Sequence, residues 1–286
     1  MAGSHANSPV LIALKDVCLF RGTHTLFNAL NLEVRAGEIW SVLGENGVGK
    51  SSLLAVMSNY LPPDAGQVDL AGKPLSRISA QSRAKTLAWL PQHETESLSV
   101  TVVERVLLGR HPYASSLFRD ESNDIDLAED ALADVGLAGY ENRIVRQLSG
   151  GEKRRVGLAA CLAQQASLYL LDEPLSALDL RHQRVVLNRM NLLAQKGAGV
   201  VWITHDPNQA LMCSTHVLLM LGDGVCIAGP VGEVLHASNL SQAYRCEVRE
   251  ISLDGTRFFF IPPHARTESA ELGDSQACLP LFPDAP

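Results

Sequence analysis

Apolar positions cluster into short runs separated by polar punctuation, and the spacing of the runs changes along the chain. Val10 to Leu14, Val17 to Phe20 and Leu30 to Val34 are brief and rich in strand-forming residues, so the opening is expected to be β-structured. Glu38-Ile-Trp-Ser-Val-Leu43 predicts a buried strand, followed by a glycine-rich turn and a helical stretch from Lys50 to Asn59. Thr86 to Leu90 predicts another strand, ended by Pro91. From there to about Gln147 the pattern turns helical: Val103, Val106 and Leu107 fall on one face, as do Ile125, Ala128, Leu132 and Val135. This predicts a helical insertion between two α/β portions. Strands are then expected at Leu168 to Leu171, Gly199 to Ile203 and His216 to Met220, with a helix from Leu180 to Gln195, and such alternation predicts a mostly parallel sheet. Asp254-Gly255, between Ile251-Ser-Leu253 and Phe258-Phe-Phe-Ile261, predicts a β-hairpin. No internal repeat interrupts this order.

Composition narrows the possibilities. At 286 residues the chain is long enough for a large core without disulfide or metal staples. It carries 24 Lys plus Arg against 31 Asp plus Glu, a net charge of -7, which disfavours nonspecific binding to a nucleic-acid backbone. Its longest uncharged runs, Val156 to Leu171 and Pro207 to Gly222, are 16 residues each, short of the ~20 apolar residues a spanning helix needs. Met1 to Pro9 has neither a positive cluster nor an apolar core, so no secretory signal is expected and a cytosolic location is. Cys18, Cys161, Cys213, Cys226, Cys246 and Cys278 contain no CxxC and are expected mostly as small buried hydrophobes. Eight acids and no base lie between Asp120 and Glu141, which reads as a solvated helix face or as a docking surface for a basic partner. Thr267 to Pro286, with three prolines and four acids, predicts a loose tail.

The candidate chemistry is concentrated in a few short motifs. Gly44-Glu45-Asn46-Gly47-Val48-Gly49-Lys50-Ser51 fits GxxxxGK[ST] between an expected strand and helix. The glycines let successive backbone N–H groups point at a phosphate, the helix N-terminus adds partial positive charge, Lys50 adds a full one, and Ser51 can ligate Mg²⁺. Leu168-Tyr-Leu-Leu-Asp172-Glu173 is an apolar strand that delivers two carboxylates at its end, suited to hold Mg²⁺ near Asp172 and to polarise a water at Glu173. By itself that second pattern is weak. Leu148-Ser149-Gly150-Gly151-Glu152, ending 20 residues before Asp172, removes the ambiguity.

With these residues in view, the chain over about residues 10 to 240 resembles the ATP-binding cassette family. Ser149, Gly150, Gly151 and Glu152 match the family signature. In chain order the other matching elements are Phe20 as the adenine-stacking aromatic, the phosphate loop with Ser52 after it, Gln92, the pair Asp172 and Glu173, Ser176-Ala-Leu-Asp179, and His205 in Thr204-His205-Asp206. Two departures occur, Ser52 for the more usual Thr and Ser176 where Thr or Asn is common, and both keep a small polar group.

The resemblance implies an α/β P-loop NTPase fold with a mixed sheet core, an antiparallel β subdomain, and a helical subdomain inserted at about 92–147. A C-terminal hairpin extension at 241–266 and a tail at 267–286 are expected to follow. It further implies two copies facing head to tail, ATP being held between one copy's phosphate loop and the other's signature and Asp179. On that reading Ser51, Gln92 and Asp172 attend Mg²⁺, while Glu173, His205 and Gln92 serve hydrolysis. Thr101 to Tyr113 looks like the helical-domain opening of cassettes that import iron chelates, haem or cobalamin through a membrane permease, supplied by a substrate-binding protein. The best alternative is a soluble cassette such as an iron–sulfur cluster assembly ATPase. Two-cassette translation factors and chromosome-maintenance ATPases fit poorly, because one acidic cassette is present and only 98 residues separate Lys50 from Ser149.

Overall fold

The structure, a computed structural model, describes residues 8–92, 99–114 and 121–263. In chain order the elements are β1 (Val10–Arg21), β2 (His24–Arg35), β3 (Ile39–Gly44), α1 (Lys50–Met57), β4 (Ala65–Leu70), β5 (Lys73–Pro74), α2 (Ala80–Thr86) and β6 (Leu87–Leu90). Then come α3 (Val102–Leu107), α4 (Glu121–Asp134), α5 (Gly150–Ala163), β7 (Leu168–Asp172), α6 (Leu180–Gln195), β8 (Gly199–Ile203), α7 (Pro207–Cys213), β9 (His216–Gly222) and β10 (Val225–Pro230). The chain continues through α8 (Val231–Val234), α9 (Ala237–Tyr244), β11 (Arg249–Leu253) and β12 (Thr256–Phe260).

Two larger sheets organise the core, and β11 and β12 form a separate two-stranded one. A six-stranded sheet in the order β10-β9-β3-β8-β7-β6 is parallel except for β10 at its edge. An antiparallel sheet in the order β2-β1-β4-β5 covers part of it. Strand side chains alternate between faces, and this divides the core. Leu168, Leu170, Val201 and Ile203 pack with Leu53, Leu54 and Met57 of α1 and with Ile12, Leu14 and Phe27 of the antiparallel sheet. Tyr169, Leu171, Val200 and Trp202 on the opposite face pack with Val106, Leu132, Leu158 and Val186 from the helical side. Both faces are covered, so β3, β7 and β8 are buried throughout, as uninterrupted apolar runs predict.

Several sequence expectations are corrected here. The first two expected strands are one, because a bulge at Asp16, with φ of 49°, lets β1 continue; the Asn31 side chain donates to the Asp16 carboxylate at 2.9 Å. Ile125 is 43% exposed, and Asp124 takes the inward position beside Ala128, Leu132 and Val135. Asp124 pairs at 2.7 Å with the buried Arg110, so the acidic stretch is not simply a solvated face. Asp134 also pairs, with Arg189 at 2.7 Å. Asp120 and the 267–286 tail lie outside the described residues. The elements β4, β10 and α9 are absent from the sequence expectations. The hairpin matches expectation: Asp254 and Gly255 both have positive φ, 50° and 75°, as a type I′ turn requires. Cys18, Cys161 and Cys213 are buried, Cys226 and Cys246 are half-buried, and Cys278 lies outside the described residues. Among the described residues no helix is long and apolar enough to cross a membrane.

Candidate nucleotide site

The phosphate loop occupies the turn between β3 and α1. Gly44, at the end of β3, has φ of 143°, and a Cβ there would lie 2.5 Å from the Met220 carbonyl oxygen, so only glycine lets the chain turn against β9. Gly49 caps α1 in the left-handed conformation and offers no side chain, leaving the first backbone N–H groups of the helix facing the loop. Lys50 is buried, and its Nζ donates to the carbonyls of Gly44 and Glu45 at 2.8 Å each. Burial lowers its pKa, while the charges of Glu173 and Asp172 act in the opposite direction. The ammonium is thus held by two backbone carbonyls of the loop.

Carboxylates reach this loop from β7. Burial raises the pKa of Asp172, with Glu173 adding to the rise, while a hydrogen bond from Ser51 and the charges of Arg154 and Lys50 oppose it. Its Oδ1 is buried and has no hydrogen-bond partner. An unsatisfied carboxylate oxygen next to a serine hydroxyl is a donor set suited to a hard divalent cation. The next residue, Glu173, has φ of 51°, a left-handed backbone unusual for glutamate. Its Oε1 accepts from Gln92 Nε2 at 3.1 Å and lies 2.6 Å from His205 Nε2. His205 follows β8, and Asp206 caps α7 behind it by accepting the Asn208 N–H at 2.8 Å. Three parallel strands, β6, β7 and β8, therefore deliver Gln92, Glu173 and His205 to one point at their C-terminal edges.

These three residues share a cleft of about 650 Å³ with Asn46, Gly47, Gly49, Lys50, Ser51 and Ser52. Phe20 does not join them. It is 45% exposed, and its backbone N–H donates to Asp64 at 2.7 Å. Its neighbour Arg21, with His24 and Leu26, lines the cleft. Phe20 lies at the end of β1 beside Arg21 of the cleft lining, with its ring exposed.

The signature residues also lie away from this cleft. Ser149 caps α5, accepting from the Glu152 N–H at 3.3 Å, and the Glu152 carboxylate accepts from the Ser149 N–H at 2.8 Å, a capping box. That backbone bond holds the Glu152 pKa below the ordinary carboxylate range. Ser149 and Gly150 are exposed, and a Cβ on Gly151 would lie 2.6 Å from the Ala177 carbonyl oxygen, so α5 starts hard against the 176–179 loop. Asp179 caps α6 by accepting the His182 N–H at 2.9 Å. Sequence reasoning missed Arg154, whose guanidinium reaches the backbone at the ends of both β6 and β7. No local pattern marks it, since lysine and arginine are common on the polar side of such a helix.

The family model described as ABC transporter matches residues 27–176. The hemin import ATP-binding protein of Streptomyces coelicolor is 37% identical over 259 residues, covering 91% of this chain and 92% of that protein. The petrobactin import ATP-binding protein of Bacillus anthracis is 34% identical over 253 residues, covering 88% and 93%. Among solved structures, one described as a metal-chelate type ABC transporter in an inward-facing conformation superposes with a TM-score of 0.76 at 27% identity, covering 90% of this chain and 99% of that one.

Proposed function

The chain belongs to the ABC transporter family as an ATP-binding, ATP-hydrolysing subunit, and on that premise we propose that it drives import of a metal chelate, an iron siderophore, haem or cobalamin, through a membrane permease. Relatives named for hemin and petrobactin import match along nearly the whole chain, which supports the importer reading over a soluble assembly ATPase. On this reading 10–240 is the nucleotide-binding domain, with the helical subdomain at 92–147 facing the permease. The extension at 241–266 follows, of which 264–266 lie outside the described residues. The protein works at the inner face of the membrane, and a substrate-binding protein delivers cargo on the far side.

The observation that carries the catalytic reading is the meeting of Gln92, Glu173 and His205 beside Lys50. Lys50 and the N–H groups at the start of α1 bind the β- and γ-phosphates. Ser51, Asp172 and Gln92 would hold Mg²⁺, which supplies charge neutralisation on the phosphate oxygens. The Glu173 carboxylate accepts a proton from the attacking water, and His205, hydrogen-bonded to the same oxygen, orients that carboxylate and contacts the γ-phosphate. Within one copy the N-terminus of α5 lies away from the cleft, with Ser149 and Glu152 closing the capping box and Gly150 exposed. A second copy placed head to tail would bring that end and its Asp179 against the ATP of the first, as an N-terminus with free N–H groups favours.

Glu173→Gln tests the assignment. The amide is nearly isosteric and cannot take the proton, so ATP binding persists and turnover falls about 10²- to 10⁴-fold, roughly 2.7 to 5.4 kcal/mol of barrier. Near-normal ATPase activity in this variant would remove Glu173 from the base role. The cargo class is tested by reconstituting the chain with its permease in vesicles and measuring ATP-dependent uptake of ferric siderophore, haem and cobalamin.

A further inference from the structure

Arg154 lies on α5, five positions after the capping Ser149. Its Nη1 donates to the Pro91 carbonyl at 2.6 Å and reaches the Gln92 carbonyl at 3.4 Å, its Nε donates to the Glu173 carbonyl at 3.2 Å, and its Nη2 donates to the Asp172 carbonyl. One side chain thus spans the ends of two adjacent parallel strands, β6 and β7, which are paired through Leu90 and Leu171. Those ends carry the glutamine and the glutamate that converge on His205. Carbonyls left over at strand ends need donors, and a planar guanidinium with five N–H groups can serve both strands at once, as a compact ammonium cannot.

We propose that Arg154 is a positioning residue for hydrolysis: it clamps the Gln92 loop and the Asp172–Glu173 strand end to the signature helix, holding the catalytic carboxylate in register with the phosphate loop. The strained backbone at Glu173 gives the clamp a specific task. A left-handed glutamate persists only where surrounding contacts over-determine it, and the Arg154 bond to the Glu173 carbonyl is one such contact. The clamp also has a direction. Its helix begins at the signature, so a ligand drawn against Ser149 from a second copy would pull on the element that positions Glu173. This transmission rests on the proposed head-to-tail arrangement; the clamp within one copy does not.

The test compares Arg154→Met and Arg154→Lys with the parent and with Glu173→Gln, each in full-length protein assembled with its permease. ATPase kcat, KM for ATP, ATP affinity of the isolated chain and melting temperature are measured together. Both Arg154 variants should lose at least about tenfold in kcat while KM, ATP affinity and melting stay near the parent's. Lysine fails to rescue because it keeps the charge and loses the fork. Placed in the Glu173→Gln background, neither should cost much further activity, since a residue acting through Glu173 has nothing left to position. Full activity in Arg154→Lys, a kcat loss matched by equal losses of ATP affinity and melting temperature, or a loss that adds fully to that of Glu173→Gln would each overturn the proposal. Retained activity in Glu173→Gln itself would instead overturn the catalytic assignment, so the two failures are distinguishable.

Discussion

Asp124→Asn is the most incisive test of how the helical part is held together. Arg110 Nε and Asp124 Oδ1 are 2.7 Å apart, and the two side chains are only 7% and 4% exposed. The guanidinium also donates from Nη1 to the Ala163 carbonyl at 2.9 Å and sits 4.1 Å from the centre of the Tyr113 ring. One arginine therefore joins the 108–113 turn, α4 and the end of α5, and the asparagine variant removes the carboxylate paired with its buried guanidinium. Breaking a buried pair from one side costs about 3 to 5 kcal/mol, because the surviving charge is desolvated without compensation. In a domain of this size each kcal/mol moves the melting temperature by roughly 2 to 4 °C, so a fall of about 6 to 20 °C is expected in differential scanning calorimetry. The paired replacement Arg110→Met with Asp124→Leu removes both charges and should recover most of that loss, since a well-packed apolar pair is often neutral or stabilising. The reasoning fails if Asp124→Asn costs less than about 1 kcal/mol, the range of an exposed ion pair, or if the double variant is as unstable as the single one.

Two further outcomes are expected. Lys50→Ala removes the phosphate loop's charged donor; at about 1.5 to 3 kcal/mol for hydrogen bonds to a charged group, ATP affinity should fall roughly 10- to 150-fold in calorimetry, and equal affinity would contradict the assigned role. Backbone hydrogen bonds from Thr101 and Ser149 hold the Glu104 and Glu152 carboxyls below the ordinary glutamate range. A depressed folded-state pKa contributes stability that is present above the unfolded pKa and lost as pH falls through the folded one. Glu104→Gln with Glu152→Gln keeps both capping boxes but cannot titrate, so its melting temperature should decline less with acidification than the parent's. Parallel acid profiles would show that these caps do not contribute to acid sensitivity.

Much of the site could be read before any fold was in hand, because its parts are local. A glycine-rich turn followed by Lys50 and Ser51 needs only its own backbone to form a cradle, and the run Leu168 to Leu171 ends in two acids whatever surrounds it. The same holds for Asp254-Gly255, whose turn type is a property of two residues, and for Leu180–Gln195, whose bounds follow from periodicity and the Asp179 cap. What no local rule supplies is which residues meet across the sheet. Gln92 and Glu173 are 81 positions apart, Glu173 and His205 are 32, and only the parallel register of β6, β7 and β8 brings them together. On α4 the helical period allowed Ile125 inward, yet Arg110 from another segment drew Asp124 to the buried side. Arg154 is the extreme case, a surface-type residue by composition whose role exists only because α5 lies over the ends of two strands. Sequence thus determined the elements and the chemistry each carries, through short-range hydrogen bonding and periodicity, while tertiary structure decided which side chains share a point in space, because that depends on strand order and register set by long-range burial.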